Sequence, residues 1–274
     1  MISPQNSKMF KNIDILYNSI KMFKHKNFKF SIIVPFDEIN FIPKKYKKYN
    51  YQIYFYKNIF SHENNINIKY KHSPRWFCNP DTDCDLVIFM DHDTIMTKDT
   101  IELEKECLKN DSVFGVQAYA PPFKKTNYTW EFLFNKFDIK YPKELFNYSS
   151  KKESNLICPF YPNAGFIVFP KNLLFNIQKS ITNINNEIFD KIPELLDNYF
   201  LQQIVITLAF YKYNIPFKNI DCKYNYADIE FGDIKEDTCV YHYLSNKDLC
   251  FTNKTPPKFI EIINLLKKKE IFFN

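Results

Sequence analysis

Apolar residues in this chain recur either at helical spacing or as short unbroken runs, and the two patterns alternate along its length. Residues 7 to 23 place Met9, Ile13, Leu16, Ile20 and Phe23 on one helical face, with Lys8, Lys11, Asn18 and Lys21 elsewhere, which predicts an amphipathic helix. Phe30 to Val34 reads as a strand stopped by Pro35, and Tyr51 to Tyr56 as a second strand. Residues 57 to 80 are polar and broken by Pro74 and Pro80, so they read as loop with room for a short helix. Leu86-Val87-Ile88-Phe89-Met90 is short, apolar and without helical spacing, as expected of a buried strand. A Glu-rich helix over 98 to 109 follows, capped by Thr97 or Asp99.

Ser112 to Ala118 reads as a strand closed by Pro121-Pro122, and Trp130 to Phe137 as a short aromatic helix. Residues 138 to 156 are irregular and polar, in the manner of a lid or an acceptor-side loop. Gly165 to Phe169 predicts a strand stopped by Pro170. Pro193 to Tyr213 predicts a long helix with Leu196, Phe200, Ile204 and Leu208 on one face. Thr238 to Tyr243 reads as a short strand, and Pro256-Pro257 opens a last helix ending in Lys267-Lys268-Lys269. Strands alternating with helices predict an α/β fold: a Rossmann-like, mainly parallel sheet flanked by helices. With no internal repeat or low-complexity linker, 274 residues are expected to form a single domain, 1–274, with a peripheral C-terminal helix over 257–271.

Composition narrows the chemistry. A hydrophobic fraction of 45% supplies a large core, and abundant Lys, Asn and Ile lower the weight of any Lys or Asn cluster. A formal charge of +6 suits an anionic ligand, but the basic residues are too dispersed for a nucleic-acid face. None of the seven cysteines forms a Cys-x-x-Cys pair, so a zinc site is not expected and reduced thiols are. No secretory signal or membrane span is visible, which predicts a cytoplasmic protein. Gly-x-Gly-x-x-Gly, P-loop and Gly-x-Ser-x-Gly motifs are all absent. Asp81, Asp83 and Asp85 imitate a calcium loop, but its sixth position is Leu86 and its twelfth His92.

Four polar groups of residues and one aromatic group are chemical candidates. Asp91 and Asp93 follow the 86–90 strand, where ligands bind in open α/β sheets, and two clustered hard oxygens suit Mg²⁺ or Mn²⁺. Aspartates also serve as turn and cap carboxylates at such places. Asn163-Ala164-Gly165 precedes an apolar strand, where Asn163 either makes a turn or offers an amide to a ligand. His242 lies on a short strand and is either a satisfied structural residue or a ligand. Gln202 and Gln203 interrupt an apolar helix, and a glutamine there can simply face solvent. Trp76, Trp130, Phe123 and Tyr128 fit either a saccharide groove or ordinary packing.

The order of these groups resembles a GT-A-fold glycosyltransferase, specifically the retaining family that includes glycogenin and bacterial lipopolysaccharide galactosyltransferases. The resemblance spans roughly residues 30 to 250. It implies that Asp91, Asp93 and His242 hold Mn²⁺ or Mg²⁺. It also implies that Arg75 and Lys247 lie near a nucleoside-diphosphate sugar. Asn163, Ala164 and Gly165 would contact the donor, and Gln202 and Gln203 would serve at the catalytic centre with Asn163. Gln202 stands where the family has Asp, and the family's Gly after the histidine is absent here. The expected activity is metal-dependent transfer of a sugar, UDP-linked and with retention, to a saccharide or lipid-linked hydroxyl acceptor. Nucleic acid is not an expected partner. The basic C-terminal helix leaves open a weak peripheral membrane contact. A nucleotidyltransferase of related fold and a non-catalytic glycan- or nucleic-acid-binding protein remain the alternatives.

Overall fold

The computed structural model describes residues 7–23, 28–35, 40, 42, 44–47, 50–54, 74–77, 83–123, 128–227, 234–243 and 255–271. Helix α1 (Ser7–Phe23) precedes strands β1 (Ser31–Pro35) and β2 (Asn50–Tyr54), which pair in parallel. Then come β3 (Leu86–Met90), β4 (Thr94–Met96), α2 (Ile101–Asn110), β5 (Val113–Gln117) and α3 (Trp130–Lys136). The short strands β6 (Phe146–Asn147) and β7 (Ile157–Cys158) lead to the long β8 (Pro162–Pro170). Helices α4 (Leu174–Lys191) and α5 (Leu201–Lys212) follow, then β9 (Phe217–Asn219), β10 (Val240–His242) and α6 (Pro257–Ile271).

The α/β architecture is the expected one, a central sheet flanked by helices. Its four-stranded part has the order β3-β8-β5-β9. The strand directions are mixed: β5 and β9 are parallel, while β8 runs antiparallel to both β3 and β5. A strand buried on both faces reads as a continuous apolar run in either direction, so the pattern does not reveal β8's direction.

The period of two in β3 sorts its side chains by face. Val87 and Phe89 enter the main core with Ile177, Ile181, Ile204 and Leu208 of α4 and α5. Leu86, Ile88 and Met90 pack on the other face, against a cluster that includes Leu103 and Cys107 of α2 and Val240 of β10. Trp76, fully buried in a 3₁₀ turn (Pro74–Phe77), meets Phe89 edge-on at 4.9 Å and stacks on Phe169 at 5.4 Å. Burying an aromatic side chain of this size fixes the turn against the sheet, and Arg75 with it.

Several local expectations shift. Helix α4 has no counterpart in the predicted elements. The expected helix over 193–213 is divided into a 3₁₀ turn (Pro193–Asp197) and α5. Helix α2 starts at Ile101, with Thr100 at the cap position and Asp99 Oδ1 accepting from the Ile101 N–H. Thr97 instead donates to the Thr238 carbonyl. Trp76, Trp130 and Phe123 belong to the main core, so ordinary packing accounts for all three; Tyr128 is half-buried and stacks on Phe132. No described helix is long and apolar enough to cross a membrane.

Candidate metal and donor site

The register of β3 on β8 brings the first candidate group to the second. Met90 pairs with Phe166, and one step further the Asp91 N–H donates to the Gly165 carbonyl at 3.0 Å. A turn follows at once: the Thr94 N–H and hydroxyl both donate to the Asp91 carbonyl, at 3.2 and 2.6 Å. This reverses the chain into β4, which pairs antiparallel with β10 so that Thr94 faces His242. The Tyr243 N–H donates to the Asp93 carbonyl at 3.0 Å and closes the arrangement. Main-chain hydrogen bonds thus deliver Asp91, Asp93 and His242 to one place.

Their ligand atoms all lie within 4.8 Å of one another. His242 Nε2 is 3.2 Å from Asp93 Oδ1 and 3.9 Å from Asp91 Oδ2. The imidazole is 2% exposed, and Nε2 has no hydrogen-bond partner despite those carboxylates. A buried imidazole nitrogen and two carboxylates gathered this closely are the donor types that hold a divalent cation. A buried polar atom left without a partner is otherwise costly. The residues therefore fit the metal that the sequence pattern implies.

Arg75 reaches this cluster as a fork. Nη2 donates to Asp91 Oδ1 at 2.5 Å and Nη1 to the Ala164 carbonyl at 2.6 Å. Burial favours the neutral carboxyl of Asp91, yet Arg75 and His242 outweigh it and hold it down to about 2. Asp93 is also held below its ordinary value, burial again being outweighed by attraction to His242. His92, between them, is lowered chiefly by burial.

Asn163 and Gly165 support the histidine from below. Asn163 Oδ1 accepts from the Gly165 N–H at 2.8 Å and from Asn225 Nδ2 at 2.7 Å. Asn225 Oδ1 and the Tyr119 hydroxyl both sit 3.0 Å from His242 Nδ1. Asn163-Ala164-Gly165 is not a turn before a strand but the first part of β8 itself. Gln202 and Gln203 lie in the first turn of α5, half-buried, and take no part in the hydrogen bonds that tie the cluster together. Gln202 Nε2 is buried without a partner. Lys247 lies outside the described residues.

Sequence reasoning missed Tyr119 and Asn225. Tyr119 stands just beyond the carboxyl end of β5, which is the signal that could have found it. Asn225 lies in a loop beside β10, held where the Tyr226 N–H donates to the Val240 carbonyl and the His242 N–H to the Tyr226 carbonyl, both at 2.8 Å. No local motif marks it.

Solved structures share this fold at low identity. The galactosyltransferase LgtC, in complex with donor and acceptor sugar analogs, matches at a TM-score of 0.52 and 12% identity, over 94% of this chain and 91% of LgtC. An active-site glutamine variant of LgtC matches at 0.55 and 11%, over 93% and 91%. The bifunctional glycosyltransferase WbbM matches at 0.53 and 18%, over 96% of this chain, which spans 50% of WbbM. No curated protein matches the sequence. The sequence model of one family covers residues 58–214, more than half of the chain, and the chain belongs to that family, the Rhodobacterales glycosyltransferase domain.

Proposed function

We propose that this glycosyltransferase depends on a divalent metal and moves a sugar from a nucleoside-diphosphate sugar, UDP-linked, to a saccharide or lipid-linked hydroxyl acceptor. The observation that carries this reading is the convergence of Asp91 and Asp93 with the unpartnered Nε2 of His242 at the ends of β3 and β10. Asp91, Asp93 and His242 would hold Mn²⁺ or Mg²⁺, and the imidazole nitrogen favours Mn²⁺. Such an ion, when bound, offsets the charge that grows on the leaving diphosphate.

The chain's own residues would orient the reactants. Arg75 fixes the Asp91 carboxylate against the Ala164 backbone and so sets where that carboxylate points. Lys247 would add a positive point charge near the diphosphate. Asn163, Ala164 and Gly165 would line the donor side, with Gln203 and Gln202 from α5 holding sugar hydroxyls in a reactive pose. Retention of anomeric configuration rests on the resemblance to glycogenin and the lipopolysaccharide galactosyltransferases. Residues 1–274 are proposed as one domain that works in the cytoplasm, touching a membrane at most peripherally when its acceptor is lipid-linked.

A thermal-shift panel of UDP-, GDP-, ADP- and CMP-sugars, with Mn²⁺, Mg²⁺ or EDTA, tests the reading, because a ligand that binds only the folded state raises its melting temperature. A UDP-sugar should stabilise the protein in Mn²⁺ and not in EDTA. Slow Mn²⁺-dependent donor hydrolysis should accompany it. If no nucleotide sugar stabilises the protein with either metal, the proposal fails.

A further inference from the structure

The proton on His242 is placed by a relay that begins at a backbone amide. The Gly165 N–H can only donate, so the Asn163 amide atom 2.8 Å from it is the oxygen. The Asn225 atom 2.7 Å from that oxygen must in turn be a donor, its Nδ2. The opposite end of the same amide, Asn225 Oδ1, therefore faces His242 Nδ1 at 3.0 Å. An amide oxygen only accepts, so Nδ1 carries the proton. In a neutral imidazole that leaves Nε2 with its lone pair. The Tyr119 hydroxyl, 3.0 Å from the same nitrogen, can donate or accept and so conforms to the relay without deciding it.

The choice of tautomer matters because the other one would close the site. A proton on Nε2 would occupy the side of the ring that faces Asp93 Oδ1 and Asp91 Oδ2, 3.2 and 3.9 Å away, and leave no lone pair there for a cation. Nδ1 would then set its lone pair against those of Asn225 Oδ1. Asn225 is fully buried, so water would not screen that repulsion.

We infer that Asn225 is a positioning residue for metal uptake: it selects the His242 tautomer whose Nε2 lone pair faces a divalent cation held by Asp91 and Asp93. The inference rests on the metal reading above and deepens it. Residues behind a metal-ligating histidine fix its ring orientation and its basicity in this way.

Two-bond ¹H–¹⁵N spectra of ¹⁵N-histidine-labelled, metal-free protein at pH 9 distinguish a protonated from an unprotonated ring nitrogen. The His242→Gln variant identifies the signal among the five histidines. His242 should show Nδ1–H in the wild type. In Asn225→Leu the proton should move toward Nε2, and calorimetric Mn²⁺ affinity should fall about 10- to 100-fold while the thermal transition persists. A wild type that binds no Mn²⁺ overturns the metal reading itself. A Mn²⁺-binding wild type with Nε2–H, or an Asn225→Leu protein with unchanged affinity, overturns the role of Asn225 alone. The wild-type tautomer decides the matter even if Asn225→Leu does not fold.

Discussion

Gly165 lies so close beneath His242 that a Cβ on it would stand 2.4 Å from the imidazole Nδ1 and 2.5 Å from Cε1. The same Cβ would come within 2.7 Å of Asn225 Oδ1. The ring can therefore lie against the strand only where the strand has no side chain. Gly165→Ala should push the imidazole away from Asp93 and break its bond to Asn225. Because the Gly165 carbonyl accepts from the Asp91 N–H and the Gly165 N–H donates to Asn163 Oδ1, the main chain is expected to stay and the histidine to move. Mn²⁺ affinity, read by calorimetry, should fall at least about tenfold, in line with the loss of a ligand's support. A folded Gly165→Ala protein with wild-type affinity would show that His242 is not a ligand.

Asp91→Ala and Asp93→Ala should each abolish Mn²⁺-dependent binding of UDP while leaving the metal-free protein with a cooperative thermal transition. Both side chains stand beyond the end of β3 and outside the hydrophobic core. Asp91→Ala also leaves the Arg75 guanidinium without its carboxylate, so its transition should move to lower temperature but stay cooperative. Collapse of the fold in either variant would mean that the aspartates are structural rather than ligands.

Arg75→Met separates two roles of one side chain. In the metal-free protein the guanidinium balances Asp91 and holds the Ala164 carbonyl. Breaking a partly buried pair leaves a carboxylate without compensation, so urea unfolding at neutral pH should show a loss of about 1–3 kcal/mol. Mn²⁺ supplies positive charge to the same carboxylate, so saturating Mn²⁺ should recover part of that loss. Equal losses with and without Mn²⁺ would place the ion elsewhere.

Part of the candidate site is legible in the sequence. Asp91, Asp93, Asn163, Gly165 and His242 carry their signals in immediate sequence neighbours: an apolar run, a following strand, a strand end. Asn225 and Tyr119 act through the tertiary meeting of β8, β10 and the end of β5, which no local window contains. Helix α4 escaped for a different reason. Its buried positions Ile177, Ile181, Ile184 and Ile188 keep helical spacing, but Asn176, Asn183, Asn185 and Asn186 with Ser180, Thr182 and the isoleucines lower its intrinsic propensity. Packing of its apolar face on α5 overrides that preference. In α5 the opposite holds: residues 204 to 210 are all buried, so no polar face marks where the helix begins.

Gln202 offers a test of stability against function. A buried amide nitrogen without a partner costs about 1–3 kcal/mol. Gln202→Leu should therefore leave the melting temperature unchanged or raise it. If the amide is kept for the donor sugar, the same variant should lose Mn²⁺-dependent donor hydrolysis, the trade expected where a strained group serves activity. A variant that is stabilised and fully active would make Gln202 a packing residue only.

The C-terminal helix should act on the site from behind rather than on a membrane. The buried residues of its apolar stripe are Phe259, Ile262, Ile263 and Leu266, spaced i, i+3, i+4 and i+7. Leu265 is 41% exposed. The buried four share one cluster with Ile15 of α1 and with Tyr119, Tyr226, Tyr241 and Tyr243. Phe259 meets Tyr241 edge-on at 5.0 Å. Those tyrosines flank His242 and Asn225 in sequence or touch the imidazole, so the helix supports the wall that holds the histidine. Its apolar face is already covered and has little to give to lipid. Ile263→Ala should cost about 2–5 kcal/mol by leaving a cavity in this cluster. It should also weaken Mn²⁺ binding, although Ile263 is no ligand. Flotation with anionic vesicles at low salt should leave the wild-type protein in the soluble fraction. Salt-sensitive co-flotation that disappears on truncation after Leu266 would instead make the basic end of this helix a membrane contact.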